Sequence, residues 1–343
     1  MKAAVLYANE DIKYGDYPTP IIGGNDSEKI IVKVRAAGIC GSDVPRVLYN
    51  GSHYYPNVLG HEFSGEIVEV GGDVKDLSVG GKVTGAPLIP CMDCADCQKG
   101  NYSLCKNYSF IGSREQGSFA EYVKIPAINA VKFDSSLSYE QGAFFEPSTV
   151  ALHGLKVNDY HGGGDVAILG GGTIGVFTMQ WAKIFGAKTV TVFDISEERL
   201  NLCKKMGADD TINSKTDIID KNAYDFVFET AGITETMQTA FEIANNKAHI
   251  CFIGTPTKDL VFTPKLFENM NRKEFRLTGS WMSYSAPFPG EEWTLTAHYF
   301  KTGQLKFDED LIFRKFDLRD VDKAFDLYKT PGAVKGKILL IPE

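Results

Sequence analysis

The sequence predicts an α/β chain of two domains, a β-rich one followed by a doubly wound parallel sheet. Three observations predict it. The chain has 343 residues, more than one hydrophobic core usually serves. Up to about residue 147 its apolar stretches are short and broken by Gly, Pro and Asp, the punctuation of turns between strands. From about Asp165 apolar strands alternate with amphipathic segments of helical length, the order that winds a parallel sheet on both faces.

The elements follow in order. KIIVKVRAAG, FSGEIVEVG and GKVTGAP read as strands of the first domain. DVAILGGGTIG is a strand of the fully buried kind running into a glycine turn. Thr173 to Phe185 then reads as a helix, with Ile174, Phe177, Trp181 and Phe185 on one face. TVTVFD is the next strand, EERLNLCKKMGAD the next helix, then YDFVFET, a helix from Thr234, AHICFIG and FRLTGSWM. After Pro287 the pattern changes again and the chain closes on the apolar strand VKGKILLIPE. The expected division is 1–147, with a small lobe at 88–107, then 148–285, then a return of 286–343 to the first domain.

Charge and hydropathy limit the partners. Lys and Arg number 36 against 44 Asp and Glu, a net charge of −8, which suits neither nucleic-acid phosphates nor an anionic surface. No stretch is apolar for the 18 residues a membrane span needs, and the N-terminus lacks the apolar core of a signal peptide. The expectation is a cytoplasmic protein with no membrane and no nucleic-acid partner.

Gly170-Gly171-Gly172-Thr173-Ile174-Gly175 satisfies G-x-G-x-x-G between a strand and a helix. Gly170 would permit the tight turn, Gly172 the approach of a pyrophosphate to the backbone, and Gly175 close packing of helix on strand. The free N–H groups of Thr173, Ile174 and their neighbours would face the phosphates. Asp194, 19 residues beyond Gly175 at the end of the next strand, can accept from ribose hydroxyls and would repel a 2′-phosphate, favouring NAD over NADP. Arg199 is grouped with these cofactor-binding residues. The plainer alternative is a turn and a helix cap with no ligand, which leaves the whole strand–turn–helix–strand–Asp order unexplained.

Four of the seven cysteines, Cys91, Cys94, Cys97 and Cys105, form C-x2-C-x2-C-x7-C. Four thiolates in one short loop match a closed tetrahedral structural zinc site. A redox C-x-x-C would leave Cys97 and Cys105 idle, and a nucleic-acid-binding zinc module has only Lys99 and Lys106 as flanking cations. Cys203 and Cys251 read as core thiols. A second constellation is dispersed: Cys40 in GICGSD, His61 in GHEFSGEIVEVG and Glu146 in FFEPSTVALHG. Singly, each has a structural reading, as a packed thiol, a turn cap and a helix start.

Taken as strings, these segments resemble one family. G-H-E-x2-G-x5-G, from Gly60 to Gly71, looks like the zinc signature of the medium-chain alcohol and polyol dehydrogenases. The cysteine lobe, the GGGTIG turn and the KGKILLIP ending fall where that family has them. The resemblance implies a GroES-like catalytic domain beside a Rossmann-type NAD domain, two zinc ions per chain, and a homodimer or homotetramer. It implies Cys40, His61 and Glu146 as catalytic zinc ligands, with Glu62 a carboxylate able to approach the metal and Asp43 an orienting group behind them. Glu146 stands where alcohol dehydrogenases of the family usually have Cys, which points to the polyol branch. Ser42 would receive the alcohol proton. Many relatives carry a relay histidine where this chain has Pro45, so His53 is a substitute candidate.

SDVPRVLYNGSHYYPNVLGHEFSG, FIGSREQGSFAEY and GSWMSYSAPFPGEEW resemble family members that act on a sugar alcohol phosphate. They imply galactitol 1-phosphate, oxidised at C5 to tagatose 6-phosphate. Arg46 and Arg114 are then the candidates for gripping the phosphate. Sorbitol, xylitol, a vicinal diol such as butanediol, and L-threonine remain alternative substrates, and a non-catalytic zinc-binding scaffold is the alternative of another class.

Overall fold

A computed structural model describes residues 1–343. The chain divides into two compact units, one of Met1–Glu146, Tyr284–Thr302 and Ile312–Glu343, the other of Pro147–Ser283 and Gly303–Leu311.

The first unit is built on a seven-stranded sheet. The strand Lys29–Gly38 lies in its middle, antiparallel to Glu62–Val70, to Tyr122–Pro126 and to the C-terminal strand Lys337–Ile341. It is rich in β-branched residues and buried along most of its length, as a strand covered on both faces must be. Val32, Val34, Phe63, Ile67, Val123, Ile338 and Leu340 meet in one core. The closing strand therefore joins the main sheet of the first unit, beside Lys29–Gly38, while the first residues, Lys2–Ala8 and Asp11–Asp16, form a separate three-stranded sheet with Asn57–Val58. The segment after Pro287, left unassigned by the sequence pattern, contains the helix Glu291–Lys301, which buries Trp293 completely.

The second unit carries six parallel strands. In spatial order they are Asp210–Asn213, Thr189–Asp194, Asp165–Leu169, Tyr224–Glu229, Ala244–Phe252 and Arg276–Gly279. Asp210–Asn213 was not anticipated, because DTIN is short, polar and without alternation. The helix Thr173–Ile184 differs from expectation in a second way. Gly175 through Ala182 are all buried, so it is enclosed all round, not on one face. Gly303–Leu311 packs with this unit: Lys306 N donates to Gln180 Oε1 at 2.7 Å, and Gln180 Nε2 donates to Lys306 O at 3.2 Å. No helix is long and apolar enough to cross a membrane.

Candidate functional site

In the first unit, the donor atoms of Cys40, His61 and Glu62 all lie within 4.8 Å of one another. The sheet explains why. Cys40 follows the end of the strand Lys29–Gly38, and Glu62 begins the strand that pairs with it, Gly38 standing opposite Glu62. His61 Nδ1 faces Asp43 Oδ1 at 3.6 Å, which leaves Nε2 as the nitrogen for another partner. Asp43 is fully buried and its other oxygen accepts from Cys40 N at 3.1 Å. Ser42 Oγ donates to Cys40 Sγ at 3.3 Å and accepts from Arg46 Nη1 at 2.9 Å. Glu146, second residue of the helix Phe145–Val157, is 9% exposed. It stands beside this set, not in the tight group of three.

The electrostatics are those of a cation site. Burial, and next the Glu62 charge, push the Cys40 thiol far up. Burial also raises Asp43 against the pull of His61 and Arg46. Burial drives Glu146 up to about 7, with His61 opposing and Glu62 adding to the rise. So many acids in one dry volume cannot all ionise without added positive charge. His61 Nδ1 and Asp43 Oδ1 are buried without a hydrogen bond. A thiol, an imidazole and carboxylates suit zinc, so the residues present fit that ion.

The four lobe cysteines are free thiols gathered within 4.8 Å. Their sulfur–sulfur separations include 3.5, 3.9 and 4.0 Å. A tetrahedron with metal–sulfur bonds of about 2.3 Å has edges of about 3.8 Å, whereas a disulfide needs about 2.05 Å. Backbone N–H groups also point at the sulfurs, Cys91 N at Cys105 and Cys94 N at Cys91. The N–H groups of Asp93 and Cys97 are the first cause holding the Cys91 and Cys94 thiols low, the latter at about 6. The lobe fits a tetrathiolate zinc.

The glycine turn lies in the second unit, between the strand Asp165–Leu169 and the helix Thr173–Ile184. Gly170 has φ +111°, open to glycine and strained for other residues. A Cβ on Gly175 would stand 1.8 Å from Gly170 O, so the helix can press on the turn only without a side chain. Gly172, the residue before the helix, has nothing within 4 Å of its missing Cβ, and the first turn holds no acidic residue. The N–H groups there have no partner within the helix, which fits a pyrophosphate. Asp194 Oδ2 accepts from Gly171 N at 2.8 Å, and Oδ1 from Ile195 N and Ser196 N at 2.8 and 2.9 Å. Arg199 Nη1 lies 3.6 Å from Asp194 Oδ2.

The structure thus gathers Cys40, Ser42, Asp43, Arg46, His61 and Glu62. Arg114 lies over the Tyr108 ring at 4.7 Å. His53 is exposed; its imidazole pKa is lowered, by burial first and then by the charges of Arg114 and Arg46. Sequence reasoning missed Lys337, whose ammonium donates to Glu62 Oε1 at 2.7 Å. Only its place at the head of the closing strand could have drawn notice.

Residues 26–135 match the alcohol dehydrogenase GroES-like domain and residues 173–297 the zinc-binding dehydrogenase family. Galactitol 1-phosphate 5-dehydrogenase of Escherichia coli is 39% identical over 351 residues, covering 100% of both chains. A crystal structure of galactitol-1-phosphate dehydrogenase from Escherichia coli matches with TM-score 0.93 at 39% identity over 100% of each chain. L-threonine 3-dehydrogenase of Escherichia coli is 32% identical, covering 99% of both. A zinc-binding dehydrogenase from Sinorhizobium meliloti solved with NADP matches with TM-score 0.89 at 31% identity over 99% of each chain. With its donor cluster, cysteine lobe and glycine turn all lying within that shared fold, the chain belongs to the zinc-binding, GroES-like alcohol dehydrogenase family.

Proposed function

We propose that the chain is an NAD-linked zinc dehydrogenase that oxidises a secondary hydroxyl of a sugar alcohol phosphate, galactitol 1-phosphate to tagatose 6-phosphate. The observation that carries the reading is the convergence of the Cys40, His61 and Glu62 donors within 4.8 Å. It occurs in a chain 39% identical along its whole length to galactitol 1-phosphate 5-dehydrogenase.

Cys40, His61 and Glu146 would hold the catalytic zinc, and Cys91, Cys94, Cys97 and Cys105 a structural one. Gly170, Gly172, Thr173, Ile174, Gly175, Asp194 and Arg199 would hold NAD. Bound there, zinc supplies a Lewis acid for the substrate oxygen and NAD an acceptor for the hydride leaving the same carbon. Asp43 faces the His61 ring on its Nδ1 side at 3.6 Å, so Nε2 would be the nitrogen offered to the metal. Ser42 Oγ, exposed to solvent, would take the proton of the substrate hydroxyl and pass its own to water, in place of the titratable group that Pro45 does not offer.

The phosphate is met by local cations against an acidic chain. Every contact Arg46 makes to Ser42 and Asp43 runs through Nη1, which leaves Nη2 and Nε for an anion. Arg114 supplies further positive charge, since both it and Arg46 act on the His53 ring, which burial and their charges hold toward its neutral form.

The test is NAD reduction with galactitol 1-phosphate, sorbitol, xylitol, 2,3-butanediol and L-threonine, with the product identified by NMR. The expected result is turnover of the polyol phosphate to a ketose phosphate. Turnover confined to L-threonine or butanediol would overturn the substrate assignment, and turnover of none would overturn the enzyme reading.

A further inference from the structure

Asn57, first residue of the short strand Asn57–Val58, is a fully buried amide that joins two loops of the first unit. Its Nδ2 donates to Ser52 Oγ at 2.7 Å and to Ser113 O at 3.2 Å. Ser52 is the residue before His53, and Ser113 the residue before Arg114. One NH2 group therefore uses both protons on the neighbours of two exposed side chains that can meet an anion. Its orientation is fixed, because a backbone carbonyl only accepts and so must face the NH2 end.

Gln116 repeats the arrangement from the second loop. Its Oε1 accepts from Val58 N at 2.9 Å, and its Nε2 donates to Tyr54 OH at 3.2 Å. Tyr54 follows His53 directly, so that histidine has a pinned residue on each side. Tyr55 OH adds a third tie, accepting from Ser52 N at 3.1 Å and donating to Asn9 Oδ1 at 2.7 Å. The loop of Arg114 is seated as firmly. Gly117 N donates to Val58 O at 2.7 Å, and a Cβ on Gly117 would stand 2.4 Å from both Leu59 O and Gly60 O. Both loops thus rest on the segment that leads into His61.

His53 and Arg114 are exposed, while Asn57 and Ser113 beneath them are buried. The His53 ring is held toward its neutral form by burial first and then by the charges of Arg114 and Arg46, which leaves it a ring N–H to donate. Those two guanidinium groups repel each other, and the ties keep them near one ring against that repulsion. Asn57 Oδ1 meanwhile is buried with no hydrogen bond. A buried amide held for stability alone normally has both ends satisfied; this one leaves its carbonyl bare and keeps both donors on the loops.

We propose that Asn57 and Gln116 are specificity-determining positioning residues, which hold His53 and Arg114 beside Arg46 as a preformed pocket for the substrate phosphate. The inference rests on the polyol phosphate reading above. Neither amide need touch the phosphate. They set the spacing of the loops before substrate arrives, so that binding does not have to order them. An unphosphorylated polyol gains nothing from that spacing, so the amides act on the choice between the two substrates.

The test is kcat/KM for NAD reduction with galactitol 1-phosphate and with galactitol, read as a ratio, together with competitive inhibition of galactitol 1-phosphate oxidation by inorganic phosphate. Asn57→Leu keeps the volume and removes both donors. It is expected to lower the ratio about tenfold, mainly through KM for galactitol 1-phosphate, and to weaken inhibition by phosphate in proportion. Ser52→Ala removes one of the two contacts and is expected to lower the ratio about threefold. Added to Asn57→Leu it should lower the ratio no further, because its bond is already gone. An unchanged ratio, equal losses on both substrates, or a loss confined to kcat would overturn the proposal. If Asn57→Leu does not fold, Gln116→Met decides: the same fall in the ratio is expected, and an unchanged ratio overturns. A wild-type enzyme with no preference for galactitol 1-phosphate would sink the substrate reading and the pocket with it. A wild-type preference that survives in the variants would sink the pocket alone.

Discussion

Arg46 Nη1 donates to both the carbonyl oxygen of Ser42, at 2.8 Å, and its Oγ, at 2.9 Å, so one guanidinium fixes the hydroxyl that also reaches the Cys40 sulfur. On the proposed reading Arg46 would also grip the substrate phosphate, and a single substitution would remove both roles together. Arg46→Ala is expected to lower kcat/KM about fivefold on unphosphorylated galactitol, the loss of one ordinary hydrogen bond to Ser42. On galactitol 1-phosphate it is expected to cost a further tenfold to hundredfold, roughly 1.5–3 kcal/mol for a charge-assisted contact. Equal losses on both substrates would confine Arg46 to positioning Ser42.

The cysteine lobe predicts a second, structural metal. Elemental analysis of active protein should give two zinc equivalents per chain. Cys94→Ser should lose one of them and lower Tm, because a short loop with few apolar residues is held mainly by its metal. One equivalent in fully active wild-type protein would contradict the two-site account.

Asp194, proposed to face a ribose, also holds the turn. Its carboxylate accepts from three backbone N–H groups, so an alanine there would loosen the turn as well as remove the charge. Asp194→Asn keeps the shape and is the cleaner probe. It should raise the NADP-to-NAD ratio of kcat/KM about tenfold by removing repulsion toward the 2′-phosphate. A wild-type enzyme that uses NADP as well as NAD would contradict this reading and would assign Arg199, 3.6 Å from Asp194, to the phosphate.

Glu146→Ala should lose turnover by about a hundredfold or more through loss of the catalytic zinc, while NAD binding, followed by fluorescence titration, persists. Full activity with normal zinc would remove Glu146 from the ligand set and leave Glu62 as the third ligand.

The parts legible in the sequence are the ones written locally. The turn at Gly170–Gly175, the strand ending in Asp194 and the cysteine lobe each place their chemistry within a few residues, and backbone geometry does the rest. Cys40 and His61 could be paired only by likeness of their strings, and the sheet shows the physical reason, two adjacent strand ends meeting at Gly38. What stayed illegible depends on partners distant in the chain. A lysine opening an apolar strand gives no sign that it will be buried on Glu62, 275 residues away. Nothing in SDVPR says that the arginine turns back on Ser42. The helix Thr173–Ile184 looked one-sided because Thr178 and Gln180 are polar. Thr178 Oγ1 instead donates to Ile174 O, and Gln180 pairs with the Lys306 backbone, so polar residues are buried at little cost.

The central claim is that the chain oxidises a phosphorylated polyol through its own cation cluster. It is tested most directly by the kcat/KM of wild-type enzyme for NAD reduction with galactitol 1-phosphate against galactitol. The account predicts a preference of about a hundredfold or more for the phosphorylated substrate, the effect of one or two charge-assisted contacts. Equal rates, or a preference for free galactitol, would contradict it.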